Sequence, residues 1–389
     1  MRRLLKRYTT GGGRAVLGIA FASMLAGLDP FRTHLGGFFV VMAALLAVAF
    51  LLGLFYRRRL CGEWRLPVRV VCGSRFPVTV TLRNVSRRVA YEVEASFDSL
   101  PSGLWLRVEE PGENRLGQIQ PGESRNLELG IRADKRGAYT LGPIWAGTTF
   151  PFGIFRFAGR LPSRRRVLVT PRIHHISTLA LNPGLRYQPG GVPLASQTGE
   201  SLEFMGVREY RQGDSLRKIH WKLWARRGVP VVREFSQEYF SRVGVILDSF
   251  RPPKGPAFER ATEVAASISS YLARHDAIVD FFAAGSEVYF LSVGRQLGTL
   301  QSILDVLACV EPTKVAPYEE LEHQLLDVLP GLSAVVIVTF DPTPQRREFW
   351  ERLKIGGAPL RVFCIGKGED EPDVSWLDPA QMPACLEQM

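Results

Sequence analysis

Residues 37–56 run for twenty positions without a charged side chain, from Gly37 to Tyr56. At 1.5 Å per residue a helix of this length extends about 30 Å, the thickness of a bilayer hydrocarbon core. Arg57, Arg58 and Arg59 close the run. An earlier apolar stretch, Ala15 to Leu28, follows a start made basic by Arg2, Arg3, Lys6, Arg7 and Arg14, and ends at Asp29 and Pro30. Cations flank both stretches on the outside, and only Arg32 and His34 oppose Asp29 between them. That charge pattern predicts a transmembrane helical hairpin with both ends cytoplasmic. A basic start, a short apolar stretch and small residues near Ala26 also satisfy the description of a cleaved signal peptide, but the second run would anchor the chain in either case. The expectation is a multi-pass inner-membrane protein with two helices and a cytoplasmic body. Its first helix is short for a full span, and either recruits residues from Gly11 onward or lies tilted and shallow.

The formal charge is +11 over 389 residues, which raises the question of nucleic acid. Its distribution argues against that partner. Residues 1–60 carry nine Lys and Arg against one Asp, charge that belongs to membrane topology, whereas residues 241–389 carry 21 acidic residues against 13 basic. An electrically segmented chain lacks the continuous basic footprint that phosphates require. Five cysteines, Cys61, Cys72, Cys309, Cys364 and Cys385, are widely spaced without a C-x-x-C pair. Reduced thiols fit this pattern better than a disulfide framework or structural zinc.

From about Arg65 the apolar period becomes two. Val78, Val80 and Leu82 alternate with polar residues, as do Tyr91, Val93, Ala95 and Phe97, and Leu127, Leu129 and Ile131. Turn residues at Asn84, Pro101-Ser102-Gly103, Pro111-Gly112 and Pro121-Gly122 separate these runs. Short alternating strands at such spacing predict an antiparallel β-sandwich over 60–172. Phe150-Pro151-Phe152-Gly153-Ile154-Phe155 reads as packing at a sandwich end, and Arg164, Arg165 and Arg166 as a group able to touch anionic lipid. Residues 173–203 are rich in Gly, Pro, Asn, Gln and Ser and predict a linker.

Beyond 241 strands and helices alternate. Strands are expected at Val243–Leu247, Ala277–Phe282, Glu287–Val293, Ala334–Phe340 and Leu360–Ile365, with helices at Phe258–Ala273, Leu297–Val310, Glu319–Val328 and Gln345–Leu353. Alternation of this kind builds a mostly parallel sheet covered on both faces, a Rossmann-type α/β domain over 241–366. The acidic, Pro-bearing residues 367–389 read as a surface tail.

Between the two bodies lies the segment 204–240. Arg208, Glu209 and Tyr210 resemble a strand end, Gln212 and Gly213 a turn, and Asp214 an N-cap for a helix that Gly228 stops. On that helix Leu216, Ile219 and Leu223 share a core-facing side, opposite Arg217, Lys218, Trp221 and Lys222. Arg208-Glu209-Tyr210, Gly213-Asp214, Arg217, Ile219, Trp221-Lys222, Ala225-Arg226 and Gly228, followed by Val231-Val232-Arg233-Glu234-Phe235, resemble the signature of the domain of unknown function 58 family. These are bacterial membrane proteins with a von Willebrand factor A-like domain. The resemblance implies that fold for the α/β domain. It also implies a MoxR-type AAA+ ATPase as partner, with a membrane-anchored transglutaminase-like protein nearby.

Three roles suit the signature. Glu209 and Asp214 can pair with Arg217 or Arg226 as an internal lock. Arg208, Arg211, Lys218, Lys222 and Arg226 can present a cationic surface with Trp221 as anchor. Nucleic-acid binding needs repeated aromatic and basic positions along a groove, and only one such helix is present.

Domains of this fold often hold a divalent cation on a D-x-S-x-S loop, a threonine and a later aspartate, so Asp248, Ser249 and Asp341 are the candidate metal ligands, magnesium the candidate ion. Phe250 and Pro252 stand where hydroxyls are needed and Arg251 adds repulsion, so the site reads as degenerate and no cofactor is expected. No G-x-S-x-G elbow, phosphate loop or H-E-x-x-H motif occurs, and the histidines, His220 on the signature helix among them, are scattered. The expected function is a membrane-anchored, protein-binding adaptor and not an enzyme, working with the ATPase in assembly or maturation of an envelope complex. A metal-dependent hydrolase and a structural envelope module are the alternatives, and membrane lipid is an expected contact.

Overall fold

The computed structural model describes residues 8–26, 35–57, 59–106, 114–179, 181, 203–214, 216–236, 241–275, 277–284, 288–293, 297–382 and 386. Most of the expected linker, 180 and 182–202, therefore lies outside the described residues. The chain divides into two compact units, Met1–Arg172 with Leu307–Cys309, and Ile173–Val306 with Val310–Met389.

The first unit begins with helices α1 (Gly11–Ala26) and α2 (Leu35–Tyr56), which contact one another. Within α2, Gly37–Tyr56 is long and apolar enough to cross a membrane, and most of that run is exposed in the isolated chain. α1 starts at Gly11, several residues before its apolar stretch, because Thr10 caps it: the Gly13 amide donates to Thr10 Oγ1 at 2.9 Å.

Strands β1 (Leu60–Arg65), β2 (Arg69–Val71), β3 (Arg75–Asn84), β4 (Ala90–Phe97), β5 (Leu104–Leu106), β6 (Arg115–Ile119), β7 (Ser124–Ala133), β8 (Gly137–Leu141), β9 (Ile144–Thr148), β10 (Phe157–Leu161) and β11 (Arg165–Thr170) follow. They form antiparallel sheets in the orders β1-β3-β7-β5 and β10-β9-β4-β6, with a smaller sheet β2-β11-β8. The period-two residues meet between them: Val78, Val80, Leu82, Leu129 and Ile131 are at most 1% exposed, with Val93, Ala95 and Trp64 in the same core. Alternation fails in β4, where Glu92 takes φ 46° and Tyr91 and Glu92 are both exposed. Tyr91 then stacks obliquely on Phe150, ring centroids 5.1 Å apart.

The second unit holds a two-stranded hairpin, β12 (Glu203–Glu209) with β13 (Val231–Ser236), and a six-stranded sheet. Its strands are β14 (Arg242–Leu247), β15 (Ile278–Ala284), β16 (Val288–Val293), β17 (Ala334–Thr339), β18 (Leu360–Ile365) and β19 (Val374–Leu377), in the order β16-β15-β14-β17-β18-β19. All neighbours are parallel except β15 with β16. Numbered from β14, that is the 3-2-1-4-5-6 order of an open doubly wound sheet, whose reversal point lies between β14 and β17.

Connecting helices are α3 (Trp221–Arg227), inside the hairpin, then α4 (Ala257–Arg274), α5 (Leu297–Cys309), α6 (Tyr318–Leu326) and α7 (Pro344–Ile355). The acidic tail corrects expectation: Val374 and Leu377 are buried in β19, and Met382 and Leu386 are buried beyond it. Val374, Trp376 and Leu377 give this short segment enough apolar surface to pair with β18 despite the surrounding acid. Among the described residues Cys61, Cys72, Cys309 and Cys364 form no disulfide.

Candidate functional site

The signature folds as a hairpin interrupted by a helical insertion. Residues 208 and 209 on β12 face Val232 and Val231 on β13. The Asp214 carboxylate reaches back to the strand and receives both terminal nitrogens of Arg208, at 2.7 and 2.8 Å, plus the Arg211 amide at 2.8 Å. The Arg208 hydrogen bond first, then the Arg211 amide, lower the Asp214 pKa from 3.8 to about 2. Gly213 makes the turn at φ 107°, a left-handed conformation suited to glycine. The amide of Tyr210 donates to the Pro230 carbonyl at 2.9 Å. A bidentate arginine fork thus fixes the entry to the insertion.

That assignment changes two expectations. Asp214 pairs with Arg208, and among the described residues Glu209, Arg217, Lys222 and Arg226 are in no ion pair. Nor does Asp214 cap a helix. Leu216–Lys218 is a 3₁₀ turn. Ile219 then bridges to Val232, and the His220 amide donates to the Val231 carbonyl at 2.8 Å. This strand pairing breaks the helix, and α3 restarts with His220 as N-cap, its Nδ1 accepting from the Leu223 amide at 3.3 Å. His220 is therefore a capping residue. Gly228, left-handed at φ 75°, stops the helix as expected.

Because the helix is broken, its expected core face disperses. Ile219 is buried with Val231 and Val232, Leu223 is half-buried, and Leu216 is exposed. α3 buries none of its residues. Trp221 is 61% exposed and stacks on Trp224 with ring centroids 5.3 Å apart. Arg217, Lys222, Arg226 and Arg227 are exposed on the same segment. An indole stack open to solvent on a short helix that also carries exposed cations can bind an acidic surface through charge and the indole face.

The second candidate site lies at the carboxyl ends of β14 and β17. Asp248 is 3% and Ser249 0% exposed, whereas Asp341 is on the surface. Asp248 Oδ2 accepts from Arg346 Nε at 2.7 Å, Thr339 Oγ1 at 2.7 Å and Tyr318 OH at 3.3 Å, and Oδ1 accepts from the Phe250 amide at 2.8 Å. Arg346, in the first turn of α7, also donates to the carbonyls of Asp341, at 2.9 Å, and Phe250. It lies over the Phe340 ring, 5.6 Å from the centroid. Burial alone would lower the Arg346 pKa, but the Asp248 carboxylate overrides that and holds it above the ordinary value. The Tyr318 pKa is raised by burial and then by the same carboxylate.

This donor set does not fit a divalent cation. A guanidinium already fills the place a metal would take, both Asp248 oxygens are engaged, and Asp341 turns its carbonyl, not its carboxylate, toward the cluster. Among the described residues no group of three or more His, Cys, Asp or Glu could hold an ion. Arg346, Thr339 and Tyr318 escaped sequence reasoning. One signal was available: Arg346 and Arg347 stand in the first turn of a helix, where the macrodipole disfavours cations unless an anion receives them.

The fold and site define a two-unit chain: a β-sandwich unit carrying apolar helices, and an α/β unit with an exposed indole stack and an arginine held at the carboxyl ends of its central strands. Residues 206–363 match the family described as "Protein of unknown function DUF58", a span that runs from Gly206 on β12, through the signature, into β18. No curated protein matches the chain.

Among solved structures, E. coli alpha-2-macroglobulin in its native conformation aligns at 17% identity over 29% of this chain and 7% of its own, TM-score 0.22. Salmonella alpha-2-macroglobulin reacted with methylamine aligns at 18% over 32% and 8%, TM-score 0.22. The CARDB domain of a Pyrococcus furiosus protein aligns at 13% over 28% of this chain and 93% of its own, TM-score 0.19. This chain thus spans less than a tenth of the two macroglobulins.

Proposed function

We propose that this protein is a membrane-anchored adaptor that docks a partner of acidic surface through the Trp221 face of α3. The helical hairpin of α1 and α2 holds it in the inner membrane, with both units in the cytoplasm, and the second unit is von Willebrand factor A-like. The 3-2-1-4-5-6 strand order supports that fold. By the family resemblance the partner is a MoxR-type AAA+ ATPase, acting in assembly or maturation of an envelope complex, and a transglutaminase-like membrane protein is a further candidate. The observation carrying the reading is Trp221, 61% exposed, on a segment where Lys222 and Arg226 are exposed and in no ion pair among the described residues and whose base is locked by Arg208 and Asp214. A large indole held on a rigid turn and left open is the composition of an interface hot spot. The guanidinium at the carboxyl ends of β14 and β17 argues against the metal-dependent hydrolase.

The test is capture of the purified ATPase by the full-length protein in detergent. Trp221→Ala with Lys222→Glu removes the anchor and reverses one charge, an expected loss of about 2–4 kcal/mol, or roughly thirty-fold or more in affinity. Undiminished capture would take α3 out of the interface.

A further inference from the structure

We infer that the loop between β9 and β10, residues 149–156, dips into the bilayer beside α2, with Phe152 as its lipid-facing tip. The inference rests on the membrane anchoring proposed above and adds a second, loop-borne contact with lipid. Its evidence is how deeply the loop is built into the two apolar helices.

The loop is stitched to α1. Thr9 forms a β-bridge with Phe155, and the Thr10 amide donates to the Ile154 carbonyl at 3.1 Å. Thr10 Oγ1, the cap of α1, donates to the Gly153 carbonyl. The Arg156 amide donates to the Tyr8 carbonyl at 2.8 Å. Gly13 closes this seam, since a Cβ there would stand 2.1 Å from the Ile154 carbonyl oxygen.

The loop also runs along α2. Phe150 packs on Tyr56 with ring centroids 4.8 Å apart. Phe155 and Phe157 meet Phe50 at 5.5 and 5.7 Å. Gly53 admits this approach, because a Cβ there would fall 2.0 Å from the Phe157 ring. Phe50 lies six residues inside the end of the apolar run, which at 1.5 Å per residue is about 9 Å along the helix. If Tyr56 and Arg57 mark the interface, rings that touch Phe50 lie below it.

The base of the loop carries charge and its tip is apolar. At its base Arg156 pairs with the buried Glu94 at 3.0 Å, and Tyr8, Arg14 and Arg57 are exposed at headgroup level. At its tip Phe152 is 58% exposed, beside Gly153 in a left-handed turn at φ 66°. Strand pairing sets the lipid contact apart from Arg164, Arg165 and Arg166. β10 leaves the loop at Phe157 and reaches Leu161, opposite Ile144, at the other end of the sheet before those arginines begin.

A photoreactive benzophenone amino acid at Phe152 tests this in the full-length protein, reconstituted in vesicles of phosphatidylethanolamine and phosphatidylglycerol. Ser102 carries the control probe; it is exposed beside β5, which pairs with the Ala133 end of β7, away from the loop. After flotation and irradiation, lipid adducts are expected by mass spectrometry at position 152 and none at 102. Floating protein without lipid adducts at 152, or with a crosslink from 152 to a second copy, overturns the inference while leaving the anchor intact. Protein that does not float overturns the anchoring and the inference together.

Discussion

Replacing Arg346 by methionine keeps much of the side chain's length and removes every donor. Arg346 and Asp248 side chains are 4% and 5% exposed, so the substitution strands a buried carboxylate. Breaking such a pair from one side costs about 3–5 kcal/mol. Two features place the expected value within that range. Asp248 retains Thr339, Tyr318 and the Phe250 amide as donors, which lowers the cost. The Phe250 carbonyl loses its donor, which adds about 1 kcal/mol or more, whereas the Asp341 carbonyl keeps the Thr343 amide at 2.9 Å.

These roughly offset, giving about 4 kcal/mol. Urea unfolding of the full-length protein in detergent measures the total. Hydrogen exchange of peptides spanning β14 and β17 localises it, since a loss of about 4 kcal/mol accelerates opening roughly a thousandfold. Asp248→Asn keeps the shape and removes the charge. Combined with Arg346→Met, it should cost less than the two singles together by about 2 kcal/mol. Strictly additive losses, or an Arg346→Met cost below about 1 kcal/mol as for an exposed pair, would refute the account of this cluster.

The hairpin lock predicts a specific acid sensitivity. Because the folded Asp214 pKa is depressed from 3.8 to about 2, its contribution is complete above 3.8 and is lost as pH falls toward 2. Trp221 and Trp224 fluorescence should report this loosening, and Arg208→Gln should abolish its pH dependence. Cys364 is fully buried, and burial pushes its thiol up to about 12, so iodoacetamide at about pH 8 should leave it intact while modifying exposed Cys61. Alkylation of native Cys364 at a rate comparable to Cys61 would contradict that burial. Gly13→Ala should destabilise the first unit by about 1–3 kcal/mol, because the added carbon meets a backbone carbonyl that has little room to yield; an unchanged thermal midpoint in detergent would count against the seam between α1 and the loop.

The parts of this molecule legible in its sequence are those whose physics is local. Val78, Val80 and Leu82 alternate because successive residues of a strand face opposite sides, and all three are buried. α7 reads at helical period, and Gly228 stops α3 because a left-handed residue is cheapest as glycine. What stayed hidden depends on partners distant in the chain. The period of 216–223 is helical, yet the bridge from Ile219 to Val232 breaks the helix and turns Leu216 outward. Asp248 reads as a remnant metal ligand until its partner 98 residues away is known. That partner changes the meaning of the missing hydroxyls. Phe250 and Pro252 where a metal loop needs serines would be damage in a site awaiting magnesium. Beside a resident guanidinium Phe250 fits, since it gives its carbonyl to Arg346 and its ring to the wall of the same cluster. An arginine cannot dissociate as an ion can, so the reversal point of this sheet holds a permanent cation where a metal site would hold an exchangeable one.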